Sequence, residues 1–407
     1  MNIKNDSLNW SINEFVVEPM EGKFRFHDFA LPKALMHAIS NLGFEYASPV
    51  QAETLPQALC GEDIVARAQT GTGKTAAFLI TLIDTFIREP IQGKRRTGTP
   101  RAIILAPTRE LVIQIASDAC KLCEFTSLTV HTIVGGIDYE KQLEALRSLP
   151  SDIMVSTPGR LLDFLSQNEI NLRKVEVVVI DEADRMLDMG FIPDVRRIVR
   201  SCPRKELRQT LMFSATFTDQ VHDLAERWTF EPQRIDIEPD QVATDTVEQI
   251  VYITTANQKY NLLKNLILHR EMYKVMVFAN RRSLCRKLSD NLISDGIDAA
   301  LLSGEVPQKK RISTLNRFKD GRIRVLVATD VAGRGIHIDG VGHVINFTLP
   351  EDPEDYVHRI GRTGRAGADG TSISFACEDD SPLLEPIEKF MGISLSAQQP
   401  STSLLEK

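Results

Sequence analysis

The chain has 407 residues, 43% of them apolar and 25% charged, with a formal net charge of −7. At about 100–200 residues per domain this length points to two or three domains, and the composition is ordinary for a soluble globular protein. No run of the ~18 apolar residues that a spanning helix needs is present, and the acidic balance argues mildly against a nucleic-acid partner unless basic groups cluster locally.

Residues 1–23 mix Asn, Ser, Glu and Trp10 without a period and are expected to form a flexible or loosely docked extension. The first residues lack the basic-then-apolar layout of a signal peptide, which favours a cytoplasmic location. A helix is expected over 32–42, opened by Pro32 and stopped at Gly43. Ser48-Pro49-Val50-Gln51 reads as another helix start, with Gln51 pointing back from the first turn.

Asp63-Ile64-Val65-Ala66 is expected to be a buried strand, and Ala76 to Ile80 a helix. Between them stands Ala68-Gln69-Thr70-Gly71-Thr72-Gly73-Lys74-Thr75. A strand, a Gly-rich turn, Lys-Thr and a helix together make a cradle for nucleotide phosphates. Glycines let backbone N–H groups converge on an anion, and the helix N-terminus adds partial positive charge. Lys74 is expected at the β- and γ-phosphates and Thr75 at Mg²⁺. Ala68 stands where the general pattern wants glycine, so the loop needs a metal-binding carboxylate on a later strand to support it.

Residues 88–101, with Gly, Pro and a basic cluster, read as a surface loop. Ala102 to Ala106 is a continuous apolar run, as in a parallel strand covered on both faces. It ends in Pro107-Thr108-Arg109, which opens a helix. In that helix Cys120 and Cys123 form a C-x₂-C with no second pair at zinc spacing, so they read as plain thiols. Thr129 to Val134 leads to Gly135-Gly136. Ile153 to Ser156 leads to Thr157-Pro158-Gly159-Arg160. Val175 to Ile180 leads to Asp181-Glu182-Ala183-Asp184, and Thr210 to Phe213 leads to Ser214-Ala215-Thr216. Every polar motif thus follows a strand. In an open parallel sheet the carboxyl ends of the strands carry the ligands, so these motifs are expected along one edge of one sheet.

The polar, acidic stretch 236–248 reads as an interdomain linker. Strands are then expected at 275–278, 299–302, 325–328, 344–347 and 371–375, with no second phosphate loop. The chain after Glu378 is mixed, and 398–407 reads as frayed.

Asp181 supplies the carboxylate that the phosphate loop called for, and Glu182 is placed to orient and deprotonate an attacking water. Alone, an acidic helix start would also follow from the macrodipole; with Lys74-Thr75 on the same sheet edge the catalytic reading is favoured. In the second half, His358-Arg359-Ile360-Gly361-Arg362-Thr363-Gly364-Arg365 puts arginines three apart on one helical face beside glycines. In a domain without its own phosphate loop, this points to arginine fingers for a γ-phosphate.

With these residues in view, the chain resembles a DEAD-box ATP-dependent RNA helicase over about residues 24–378. The resemblance implies an α/β fold of two tandem RecA-like parallel-sheet domains, 24–235 and 249–378. A linker at 236–248, an N-terminal extension at 1–23 and a C-terminal tail at 379–407 complete it. ATP and Mg²⁺ are implied as cofactors, with ATP between the domains. Gln51 and Phe44 resemble the adenine-recognising Q motif and Phe26 its upstream aromatic. Ala68 to Thr75 match the family's own A-x-T-G-x-G-K-T loop, which accounts for Ala68. Asp181 to Asp184 resemble motif II. Ser214, Ala215 and Thr216 resemble motif III, and with His358 they are assigned to coupling between nucleotide and RNA. Asp330 matches a motif V position near the ribose, and Arg362 and Arg365 match the fingers. For RNA the resemblance implies Pro107, Thr108, Arg109, Gly135, Gly136, Thr157, Pro158, Gly159, Arg160, Gln308, Arg311 and Thr329. That inventory of backbone N–H groups, helix starts and arginines is suited to phosphates, and its few aromatics argue against base stacking. Two departures are Gly333, where alanine is usual, and His337, where Asp is common. His337, the run from Gln308 to Arg311 and Ala376-Cys377-Glu378 make the chain most similar to the bacterial RhlB-like branch, which implies an RNA-degrading assembly as partner.

The expected activity is an RNA-dependent ATPase that unwinds short duplexes or remodels RNA–protein complexes. An ATP-gated RNA clamp with little unwinding would need the same motifs. A DNA motor of the same superfamily is the other rival, which the Q motif and Asp-Glu-Ala-Asp disfavour.

Overall fold

The computed structural model describes residues 10–69, 71–237, 247–270, 272–304, 306–333, 341–364 and 370–406. Contacts divide the chain into two compact units, 1–238 and 239–407.

Short apolar runs bounded by Gly, Pro and polar residues become most of the short strands; Gln233–Asp236, mostly polar, is an edge strand. In the first unit the strands are β1 (Ile64–Arg67), β2 (Ala102–Leu105), β3 (Val130–Ile133), β4 (Ile153–Ser156), β5 (Val177–Ile180), β6 (Gln209–Ser214) and β7 (Gln233–Asp236). They form one seven-stranded parallel sheet in the order β3-β4-β2-β5-β6-β1-β7. Ile64, Ala66, Ile104, Val179 and Phe213 enter an apolar core with Phe78, Ile83 and Val112. Their strand neighbours Val65, Ile103, Val178 and Met212 enter the core on the opposite face, with Leu161, Ile198 and Trp228. Covering both faces is why these strands read as unbroken apolar runs rather than alternating ones.

The second unit repeats the plan. Its strands are β8 (Val247–Ile253), β9 (Val275–Phe278), β10 (Ala299–Leu302), β11 (Val325–Ala328), β12 (His343–Asn346), β13 (Gly370–Ala376) and β14 (Ala397–Gln398). The order is β10-β11-β9-β12-β13-β8-β14, again parallel. Val275 and Val277 face one core, Met276 and Phe278 the other. No helix among the described residues is long and apolar enough to cross a membrane.

Both chain ends depart from expectation. From Trp10 onward the N-terminal extension is docked on the first unit. Trp10 stacks on His37 at 4.7 Å, and His37 stacks on Phe125 at 3.7 Å. Phe15 and Val17 are buried, and Tyr46 Oη donates to the Glu18 carbonyl at 2.6 Å. At the other end, Gln398, read as frayed, joins Ala397 in β14 on the sheet edge, and the same stretch also forms a helical turn, Thr402–Leu405. Asn265 Nδ2 donates to the carbonyls of Leu404 and Glu406 at 3.1 and 2.8 Å and holds that turn in place.

Candidate nucleotide and RNA site

The strand order sets β5, β6 and β1 side by side, so the phosphate loop, Asp181-Glu182-Ala183-Asp184 and Ser214-Ala215-Thr216 leave one sheet edge as neighbours. Gly71 and Gly73 have φ of 94° and 97°, a region that costs glycine little. At Gly73 space is also decisive, since a Cβ would lie 2.5 Å from Gln51 Nε2. Lys74 opens the helix Lys74–Arg88, is 5% exposed, and its Nζ donates to the Ala68 carbonyl at 2.8 Å. Thr72 Oγ1 donates to the Gln69 carbonyl at 2.8 Å. Thr75 follows in the first helical turn, half-buried. Thr70 lies outside the described residues.

Gln51 joins the helix start at Ser48 to this loop. Its Oε1 accepts from the Ser48 N–H at 2.9 Å, and its Nε2 donates to the Gly73 carbonyl at 3.0 Å. Gln51 therefore does point back from the first turn, and the same side chain braces the phosphate loop. Phe44 is half-buried, whereas Phe26 is fully buried behind it, with ring centroids 6.2 Å apart.

Asp181 is 2% exposed at the end of β5. Burial raises its carboxyl to about 6; the neighbouring Glu182 adds to the rise and Lys74 opposes it. Glu182 takes a left-handed conformation, φ 53° and ψ 56°, where the strand turns into the helix Ala183–Asp188. Its Oε2 lies 3.1 Å from Arg185 Nη1. Asp184 ties the two motifs together. Its Oδ2 accepts from the N–H groups of Ala215 and Thr216 at 2.8 and 2.9 Å, and its own N–H donates to Ser214 Oγ at 3.2 Å. The Ser214 carbonyl in turn accepts from the Ala68 N–H at 2.9 Å. Three motifs distant in sequence thus form one bonded unit.

The residues expected at RNA share the same sheet edge, at β2, β3 and β4. Thr108, after Pro107, caps the helix Arg109–Leu122 through its Oγ1. Arg109 lies over the Gly135-Gly136 turn, 3.1 Å from where a Gly135 Cβ would be. Thr157 and Pro158 start the next helix, Pro158–Ser166, which carries Gly159. Arg160 Nη1 donates to the Ile137 carbonyl at 3.4 Å. Sequence reasoning missed Gln142. It is 8% exposed, and it accepts from the Val134 N–H at 2.8 Å while donating to the Val134 and Ile137 carbonyls at 3.1 and 3.2 Å. It thereby fixes the turn carrying Gly135 and Gly136. The available signal was a glutamine at a core-facing helical position.

The second unit brings together a different group. Arg359 is 1% exposed, and its guanidinium forms a bidentate pair with Asp330 at 2.5 and 2.7 Å. It also donates to Asn280 Oδ1 at 2.8 Å, Asn346 Oδ1 at 3.2 Å and the Thr348 carbonyl at 2.6 Å. Both carboxylate oxygens of Asp330, expected near a ribose, are thus engaged by Arg359. Sequence reasoning missed Arg359 as the hub of this network; its partners come from three separate strand ends. Arg362, 4% exposed, donates to the His358 carbonyl at 3.2 Å. Thr329 is buried at the end of β11, and Gln308 and Arg311 lie on the first turn of the helix Gln308–Lys319. Gly333 is not a conformational requirement: a Cβ there would lie 2.6 Å from Phe278 Cε1, so glycine leaves room for that ring. Arg365 and His337 lie outside the described residues.

A family model described as DEAD/DEAH box helicase matches residues 48–224, and one described as Helicase conserved C-terminal domain matches residues 258–367. The chain is 60% identical over 391 residues to the ATP-dependent RNA helicase RhlB of Pseudomonas aeruginosa (strain UCBPP-PA14), covering 96% of this chain and 98% of that protein. Among solved structures it is similar to Mss116p bound to ssRNA and AMP-PNP, with a TM-score of 0.83 and 30% identity, covering 95% of this chain and 82% of that one. S. cerevisiae Dbp5 bound to RNA and ADP BeF3 is similar at a TM-score of 0.80 and 29% identity, covering 92% and 95%.

Proposed function

The chain belongs to the DEAD-box ATP-dependent RNA helicases, in the RhlB-like branch, with two RecA-like units, and from that premise we propose that it is an RNA-stimulated ATPase that locally separates short duplexes or remodels RNA–protein complexes. The observation that carries this reading is the bonding of Asp184 to Ser214, Ala215 and Thr216, with Ser214 also bonded to Ala68. These bonds join the phosphate loop to the acidic motif and to Ser214-Ala215-Thr216, on the same sheet edge from which Thr108, Arg109 and Gly135 leave β2 and β3.

In this reading Lys74 exchanges the Ala68 carbonyl for the β- and γ-phosphates. Gln51, already bonded to Gly73, reports adenine occupancy to the loop, and Phe26 supports Phe44 from the core side. Thr75 and Asp181 are hard oxygen donors on one edge, and the raised carboxyl of Asp181 is that of a buried acid short of positive charge. They would suit Mg²⁺, an ion that takes only one or two protein carboxylates. When bound, the ion neutralises charge on the phosphates. Glu182 accepts the proton of the attacking water. Arg362 and Arg365 act as fingers on the transferring phosphoryl group, with His358 beside them, in the state closed by ATP and RNA. Asp330, held by Arg359, orients the ribose side of that site. Pro107, Thr108, Arg109, Gly135, Gly136, Thr157, Pro158, Gly159 and Arg160, with Gln308, Arg311 and Thr329, track RNA phosphates without reading sequence. The motif-bearing parts of the domains run 24–235 and 249–378, inside compact units of 1–238 and 239–407; the setting is cytoplasmic, and an RNA-degrading assembly is the partner that the branch supports.

The test is Glu182→Gln. ATP affinity is expected to hold while RNA-stimulated turnover falls by about 10²-fold or more, the lower range for loss of a general base. Turnover equal to the parent would remove Glu182 from this role.

A further inference from the structure

The chain is acidic overall, yet one hollow in the first unit is strongly basic. It lies at the amino end of β6, the end opposite Ser214, with a volume of about 420 Å³. Val199 and the buried Trp228 contribute to its lining, together with Arg196, Arg200, Arg204, Lys205, Arg208 and Arg227; Glu206 is the one carboxylate among its lining residues. Arg196 and Arg200 are one helical turn apart on the helix Ile192–Ser201, so they share a face. Arg200, Arg204 and Arg227 are exposed.

These charges are not neutralised by ion pairing. Arginines elsewhere in the unit pair with carboxylates, as Arg101 does with Glu176 and Arg147 with Glu169. Among the described residues no such pair forms at any cation of the hollow. Arg208 is instead fixed by the Pro203 and Trp228 carbonyls at 2.6 and 3.2 Å, and Lys205 by the Glu226 carbonyl at 2.8 Å. Carbonyls satisfy the donors and leave the charge. Helix macrodipoles explain part of the pattern, since two helices end here with Arg200 and Arg227 in their last turns. They do not explain Arg196, Arg204, Lys205 and Arg208; Asp63 attracts Arg208 and Lys205, and Glu206 attracts Arg208, but neither carboxylate forms an ion pair with them. Thiol chemistry is not the purpose either: burial pushes Cys202, in the same hollow, up to about 12.

We propose that this hollow is a second RNA-phosphate contact, which holds the flank of a long or folded RNA while the motif-bearing edge acts on another part. β6 runs from one site to the other, so they stand roughly 20 Å apart at ~3.3 Å per residue. The inference rests on the RNA-acting reading above.

The test uses the full chain with Arg200→Glu, Arg204→Glu and Arg227→Glu combined, and the same three changed to Gln as a milder variant. Binding of a short single-stranded oligoribonucleotide and of a long structured RNA is measured across a salt series. For the long RNA the Glu variant is expected to lose roughly 10-fold in affinity, and its salt slope to fall by about 2, as for three phosphate contacts at ~0.7 each. The Gln variant should fall between. Affinity for the short oligonucleotide, and ATP turnover saturated with it, should be unchanged. Equal weakening on both RNAs would overturn the proposal by reducing the hollow to a general field. No weakening on either would overturn it outright. Stimulation of the unaltered chain by the short oligonucleotide tests the underlying reading separately.

Discussion

Asp181 and Glu182 are each costly in the absence of nucleotide. Glu182 occupies a left-handed conformation that costs a non-glycine residue on the order of 1–3 kcal/mol. Asp181 is ionised in a buried place. Its folded pKa, about 6, lies above the ordinary 3.8. The folded state therefore binds this proton more tightly than the unfolded state does. The stabilising contribution is complete below the ordinary value and is lost as pH rises through about 6. Asp181→Asn should consequently raise the thermal midpoint of the nucleotide- and metal-free protein near neutral pH, with the gain shrinking toward about pH 5 as the parent carboxyl protonates. Melting curves at both pH values check this; a gain independent of pH would contradict it. Such a gain, coupled to lost turnover, is the usual exchange between stability and activity at a site built for charge.

At the scale of elements, the N-terminal segment is part of the first unit rather than an appendage. Trp10, His37 and Phe125 form a three-ring stack, and Trp10 is 9% exposed. Trp10→Ala should destabilise the first unit by about 3 kcal/mol, the lower range for aromatic truncation in a core. Denaturant unfolding followed by the emission of Trp228 measures it, and a loss below ~0.5 kcal/mol would mean that the segment is not fastened. This docking was illegible in the sequence because its anchors, Trp10, Phe15 and Val17, have no common period. β7 was missed for a related reason: three of its four residues are exposed, so an edge strand lacks the apolar run that disclosed β5, β9 and β11. β14 pairs through only two residues. The site shows the same division. The phosphate loop and the acidic motif could be read because each is local, a turn and a strand end with their chemistry in adjacent residues. Arg359 could not be read as a hub, because its meaning comes from Asn280, Asp330 and Asn346, which only the parallel sheet brings together.

At the scale of the molecule, each unit has its own sheet and its own cores on both faces. Both tryptophans, Trp10 and Trp228, belong to the first unit. Tryptophan emission therefore reports the first unit alone, whereas far-ultraviolet circular dichroism reports both. The two denaturation curves are expected not to coincide, with part of the dichroism change falling outside the emission transition. Coincident curves would show that the units unfold as one cooperative body. The distribution of charge also needs this scale. A net −7 describes the chain as a whole, while Arg196, Arg200, Arg204 and Arg227 gather around one hollow.

The contact between Gly333 and Phe278 has a consequence for how this sequence can drift. The two positions are remote in the chain but share one volume, so their substitutions are ordered. Alanine at 333 needs the Phe278 ring to move aside or a smaller side chain at 278. While the ring holds its present place, glycine at 333 avoids the clash. Relatives are thus expected to show the two sites changing as a pair, each recording what the other allowed.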